Sequence, residues 1–249
     1  MTLVAIEDIP LIEEGDDLAH IVEKAITSNG LTLRSGDCLV IAQKVVSKAE
    51  GRSRNLTDII PTPKAIVLAA EVEKDPRLVE LILRESSRVI AHCPGVLIVE
   101  HRLGIVHANA GIDRSNVCGA DTALLLPEQP DASAHIIRQQ LKKFSNAEIG
   151  VIISDTAGRA WRNGAIGFAI GCAGMAPLKS LVAEPDLFGR LLETTEVAVA
   201  DEIAAAASLL MGQAGEGRPV ILVRGIGVSG ENSGGASRLI RPQSQDLFR

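Results

Sequence analysis

Aromatic residues are scarce in this chain: 249 positions hold no tyrosine, one tryptophan (Trp161) and four phenylalanines. Nucleic-acid binders need stacking platforms and a basic face, and a formal net charge of −6 supplies neither, so a nucleic-acid partner is excluded. Long apolar runs are missing too. Nothing approaches the roughly 18 to 20 residues that span a bilayer, and the first thirty residues carry Glu7, Glu13, Glu14, Asp16 and Asp17 where a targeting segment would be basic and then apolar. No membrane association and a cytoplasmic location are therefore expected. Cysteine is sparse as well: Cys38, Cys93, Cys118 and Cys172 form no Cys-x-x-Cys pair and have no histidine at zinc-ligand spacing, so four buried free thiols are expected.

What remains is a globular composition, 46% hydrophobic and 22% charged, enough for one large core or two modest ones. Residues 3–6 read as a strand, and residues 16–27 as a helix behind an Asp cap. A buried strand over Cys38–Ile41 should end in a polar loop at Gln43, Lys44, Ser47 and Lys48. Prolines open two helices, 63–73 and 76–84, and a hairpin follows over 96–99 and 105–108. A helix over 132–144 precedes a strand over 149–153, which should deliver Asp155 into a loop just as the hairpin delivers Asp113. A helix over 189–211 ended by Gly212, and a last strand over 220–223, complete an α+β (mixed α/β) pattern. The Gly- and Ser-rich stretch from Gly225 to Ser237 and a partly mobile tail over 228–249 close the chain.

Chemistry concentrates in a few places. Asp155-Thr156 at a strand end offers hard oxygen ligands suited to Mg²⁺ or Mn²⁺ beside nucleotide phosphates, although the same pair also caps turns. Arg159 and Arg162 follow closely and offer forks for phosphate or carboxylate. Asp155-Thr156-Ala157-Gly158 looks like the metal-side motif of small GTPases, but no Gly-Lys dipeptide occurs, so a P-loop is excluded. The Gly225 to Gly230 match to G-x-G-x-x-G leaves only 19 residues behind it, too few for the helix and second strand of a Rossmann unit. No histidine lies inside either Asp segment, and no nucleophilic triad can be assembled from spacing.

Taken in order, several segments resemble the coenzyme F-420-0:γ-glutamyl ligase family. They are Ile9-Pro10-Leu11-Ile12 with Gly15-Asp16-Asp17, Gln43 to Arg52, Asn109 to Val117, Leu124 to Pro127, Ile153 to Arg159, Ala200 to Ile203, and Leu210 to Gln213. The series runs in order from Ile9 to Gln213, essentially the whole chain. The resemblance implies one ligase unit over 1–249 with a two-lobed, intertwined CofE-like fold, neither P-loop nor Rossmann, assembled as a homodimer. It implies GTP-dependent addition of L-glutamate to the deazaflavin F-420-0, with Mg²⁺ or Mn²⁺ and K⁺. Carried over by position, Asp113, Asp155, Thr156 and Gln213 fall on metal positions. Ile9, Pro10, Leu11, Ile12, Gln43, Lys44, Lys48, Asn116, Met211, Gly212, Gln213, Ala214, Gly215, Glu216, Gly217 and Arg218 fall on guanine-nucleotide contacts. The implied chemistry runs through an acyl phosphate, for which Lys48, Arg159 and Arg162 could neutralise charge. The segment Lys179 to Arg190 departs from the family pattern: Asp is usual at Ser180, Gly at Ala183, Arg at Glu184 and Tyr at Phe188. Two rival readings follow, an amide ligase with another carboxylate acceptor and a non-catalytic GTP-binding module.

Overall fold

A computed structural model of the chain describes residues 1–117, 119–228 and 234–247. It opens with strand β1 (Thr2–Ala5) and helix α1 (Leu18–Ser28). The Asp17 carboxylate caps α1 by accepting from the His20 N–H at 3.1 Å, and Leu18, Ala19, Val22, Ala25 and Ile26 make its buried stripe. Strand β2 (Cys38–Ala42) then runs directly into helix α2 (Gln43–Ala49). The expected loop is thus a helix, because buried Val46 and Ser47 sit one turn beyond buried Gln43 and give the polar string an inner face.

Strand β3 (Ser53–Asn55) precedes helices α3 (Pro63–Val72) and α4 (Pro76–Arg84), each with proline in its first turn behind a side-chain cap, Thr62 or Asp75. Strands β4 (Ser86–Cys93), β5 (Val96–His101) and β6 (Val106–Ala108) form an antiparallel sheet, and β7 (Thr122–Leu124) pairs with β3. The β5–β6 hairpin follows the sequence pattern. β4 does not, because register shifts between Ser86 and Arg88 and between Val89 and Ala91 break its alternation. Cys93 ends β4 and is exposed, unlike the buried Cys38 and Cys172; Cys118 lies outside the described residues.

The second half contains α5 (Pro130–Ser145), β8 (Gly150–Arg159), β9 (Arg162–Ala173), β10 (Lys179–Ser180), β11 (Glu196–Val197), α6 (Val199–Met211) and β12 (Val220–Arg224). Two expectations need correction. β8 does not stop at Ile153: it continues through Asp155 to Arg159 and turns into β9, with Asp155 opposite Phe168. The glycines at 164, 167 and 171 hide the alternation of β9, and those at 171 and 167 let α5 and α6 lie close against it. The last long helix starts at Val199, ten residues later than expected, because residues 181–195 bond to one another as an exposed arm between β10 and β11.

The main sheet has the order β1-β12-β2-β8-β9, with β2 and β8 parallel and every other pair antiparallel. Leu39, Ile41, Val151, Ile153, Val220 and Leu222 face α1 and α5, whereas Cys38, Val40, Ile152, Ile221 and Val223 face α6. Burial on both faces explains why these strands read as continuous apolar runs. A second core packs α3 and α4 on the β4–β6 sheet through Leu68, Val72, Val79, Ile82, Leu97 and Val99. β12 is antiparallel to both its neighbours, so the Gly-rich segment after it belongs to no β-α-β unit; Ser229 to Ser233 lie outside the described residues. Farther along, the Ala236 N–H donates to Asp131 Oδ1 at 2.7 Å, which ties residue 236 to the start of α5. Among the described residues no helix is long and apolar enough to cross a membrane.

Candidate active site

The carboxyl end of the parallel pair organises the site. Ala42 pairs with Ser154, so Gln43 and Lys44 follow on one strand where Asp155 and Thr156 follow on the other. Ligands commonly gather at such strand ends. The segment between α6 and β12 arrives at the same end: Pro219 accepts from the Ala42 N–H at 2.8 Å, and Met211 Sδ lies 4.0 Å from Ser154 Oγ. The segment after β1 does so too, since Ile6 donates to Val220 O at 2.9 Å and Arg218 Nε lies 3.0 Å from Glu7 Oε1.

Asp113 comes from the other core. It bridges to Leu124 by paired backbone bonds, and its Oδ1 accepts from the Ser115 N–H at 2.6 Å in an Asx turn. Lys44 Nζ reaches across to Asp113 Oδ2 at 2.7 Å and to Ser115 Oγ at 2.8 Å. One turn along α2, Lys48 Nζ donates to Asn116 O at 2.9 Å, and Asn116 Nδ2 donates to Ala214 O at 2.9 Å. Two lysines on one helix face thus join the Asp113 turn to the 212–218 loop. Burial alone would raise the Asp113 carboxyl, but the Lys44 ammonium and the Ser115 donors hold it below its ordinary value.

The segment leading to Asp113 is strained. Asn109, Ala110 and Gly111 stand at φ +52°, +55° and +68° in succession, a conformation that costs a residue with a Cβ about 1 kcal/mol or more. Immediately before this run, His107 lies on β6 with its Nε2 3.3 Å from Asp155 Oδ2, each side chain only 10% exposed. The two atoms are at ion-pair distance, yet neither has a hydrogen-bond partner among the described residues. Burial alone would lower the His107 imidazole, but the Asp155 carboxylate and the Ala108 and Thr156 carbonyls hold it above its ordinary value. His107 was invisible to sequence reasoning, because no spacing rule connects it to a strand 48 residues later. Its one local signal was its place two residues before Asn109.

The remaining predicted residues divide. Gln43 is buried and accepts from Ser47 Oγ at 2.9 Å, with its amide nitrogen lacking a partner among the described residues. Ile12 is buried and Ile9 half-buried, while Pro10, Leu11 and Gln213 to Gly217 are exposed on the rim. Gly212 ends α6, and Ala214 N–H donates to Glu216 Oε2 at 2.8 Å. Arg159 and Arg162 are not brought into this cluster. They pair across the β8–β9 hairpin tip, four residues beyond Asp155, or roughly 13 Å along a strand. Two cavities of about 310 and 270 Å³ lie elsewhere and are lined by none of the predicted site residues.

The sequence pattern and this convergence have one source. A sequence description of the F420-0:Gamma-glutamyl ligase family matches residues 7–225. The chain belongs to that family. Among its relatives, the coenzyme F420:L-glutamate ligase of Methanothermobacter thermautotrophicus is 48% identical over 250 aligned positions, covering 100% of this chain and 99% of that protein. The protein of the same name from Archaeoglobus fulgidus is 43% identical, with 98% and 94% covered, and that of Methanopyrus kandleri is 43% identical, with 98% and 97% covered. In the arm over residues 181–195, Ala183 stands at φ +66°, a left-handed conformation that glycine adopts at lower cost.

Proposed function

We propose that this chain is a ligase that joins L-glutamate to the carboxylate of coenzyme F420-0, by an amide and then a γ-glutamyl linkage, in F420 biosynthesis. The full-length likeness to proteins named coenzyme F420:L-glutamate ligase carries this reading. GTP is the proposed co-substrate. Hydroxide is a poor leaving group, so the acceptor carboxylate oxygen attacks the γ-phosphorus and GDP departs. The glutamate amine then attacks the acyl carbon and inorganic phosphate departs, carrying the electron pair of the broken C–O bond. Lys44 and Lys48, held on one face of α2 beside the Asp113 turn, would offer two ammonium groups to phosphate charge, and no protein nucleophile is needed.

A divalent cation fits the oxygen-rich donor set. Asp155 Oδ2 is buried and without a hydrogen bond among the described residues, and Asp113 keeps lone pairs beyond those used by Lys44 and Ser115. Asp113, Asp155, Thr156 and Gln213 would hold Mg²⁺ or Mn²⁺, with K⁺ alongside, and the divalent ion would neutralise charge between the phosphates. Among the described residues no three His, Cys, Asp or Glu side chains converge, so phosphate and water oxygens would complete the coordination. With GTP, Mn²⁺, glutamate and F420-0, the product gains one glutamyl mass. Asp155→Ala abolishes both turnover and metal-dependent nucleotide binding, and near-normal turnover by that variant would refute the metal role.

The arm supports two finer proposals. Val182, Leu187, Phe188 and Leu191 are 50%, 99%, 95% and 58% exposed, an apolar set that a second copy of the chain would cover. The homodimer reading predicts a dimer mass by light scattering, reduced to the monomer by Leu187→Ser with Phe188→Ser. A monomeric wild type would end it. The departures expected over Ser180 to Phe188 motivate a second acceptor reading, in which glutamate-dependent GTP turnover occurs with another carboxylic acid and not with F420-0.

A further inference from the structure

His107 Nδ1 lies 2.8 Å from the Ala108 carbonyl oxygen. A carbonyl only accepts, so Nδ1 carries a ring hydrogen and Nε2 is the ring atom left to meet Asp155. Nε2 faces Asp155 Oδ2 across 3.3 Å, both atoms buried and neither hydrogen-bonded among the described residues. Atoms so placed hold together through positive charge between them, either a proton on Nε2 or a bound cation. A proton on Nε2 would point outside hydrogen-bond geometry toward Oδ2.

The spacing has another meaning. Ligands bound at about 2.1 Å stand about 3.0 Å apart along an octahedral edge and about 3.4 Å apart along a tetrahedral one. The observed 3.3 Å falls between these. The ring is also held as metal-bound imidazoles are held, with its other N–H donated to a carbonyl, and Phe168 packs against it at 5.9 Å between ring centroids.

We propose that His107 is a ligand of the divalent cation at Asp155, its Nε2 joining Asp155 Oδ2 as a mixed nitrogen–oxygen pair that makes the site prefer Mn²⁺ to Mg²⁺. The inference rests on the reading of Asp155 as a metal residue, which it deepens. Imidazole suits first-row transition ions, whereas Mg²⁺ takes oxygen ligands, so one nitrogen in the shell is a selectivity device.

Pulsed electron paramagnetic resonance of Mn²⁺ bound to the full chain reads this without turnover. The wild type shows ¹⁴N modulation on the Mn²⁺ signal. His107→Gln loses the modulation, binds Mn²⁺ at least about tenfold more weakly, and changes its Mg²⁺ affinity far less, so the Mn²⁺ to Mg²⁺ affinity ratio falls. The wild-type spectrum does not depend on how the variant folds. Mn²⁺ bound without ¹⁴N modulation, or modulation that survives in His107→Gln, overturns the role of His107. If Asp155→Asn still loses Mn²⁺ in that case, the Asp155 reading stands alone. A wild type that binds no Mn²⁺, with or without GTP, overturns both.

Discussion

Gly212 stands at φ +76° and ψ −179°, a region closed to almost every residue with a Cβ, and an added Cβ would also meet the Glu216 carboxylate. The carboxylate can swing away, but the backbone strain of about 1 to 3 kcal/mol cannot be avoided. Gly212→Ala is therefore expected to reset the 213–217 loop and weaken nucleotide binding about tenfold, since 1.4 kcal/mol is a factor of ten. Calorimetric titration with a GTP analogue checks this, and unchanged affinity would show that the loop does not contact nucleotide. The sequence marked Gly212 as a helix stop, which it is. It could not show that Lys44 answers Asp113 or that His107 answers Asp155, because each pair joins residues from different elements whose register only folding sets.

At the scale of elements, β9 shows how a sequence pattern is lost for a structural reason. A Cβ on Gly171 would fall against the backbone carbonyl of Pro130 at the start of α5, and one on Gly167 against the Ala204 carbonyl of α6. Glycine permits close approach of helix to strand and, in doing so, erases the alternation that identifies a strand. Gly171→Ala must push a helix end away, which is expected to cost about 2 kcal/mol or more. Urea unfolding should show a lower midpoint with an unchanged slope, and a midpoint within experimental error of wild type would sink the account. By contrast, α1, α3, α4 and α5 were legible because their caps, prolines and apolar faces are local.

The two cores meet through Glu85, which ends α4. Its Oε2 lies 2.8 Å from Arg52 NH2, 3.2 Å from Arg102 Nε and 3.5 Å from buried His101 Nε2, while Arg52 Nε donates to Leu126 O at 2.9 Å. Burial alone would raise this carboxyl, but His101 and the two guanidiniums pull it down to about 2. A carboxyl depressed in the folded state stabilises fully above its unfolded value near 4.5, and that stabilisation disappears as pH falls toward 2. The contribution is about 1 to 2 kcal/mol after solvent screening. Wild-type stability should therefore drop between pH 4.5 and 2 more steeply than that of Glu85→Gln, the two curves converging at the acid end. Parallel curves in denaturant titrations would remove Glu85 as the pin. By itself the sequence determined the mixed α/β class, the capped helices, the doubly buried strands and the family, because these rest on local periodicity and on an ordered motif series. Only the tertiary structure decided that β8 carries Asp155 inside a strand and that α2 follows β2 without a loop. It alone set the cross-core contacts of Lys44 and His107, since pairings between distant segments are fixed by sheet register and packing, to which neighbours in sequence contribute nothing.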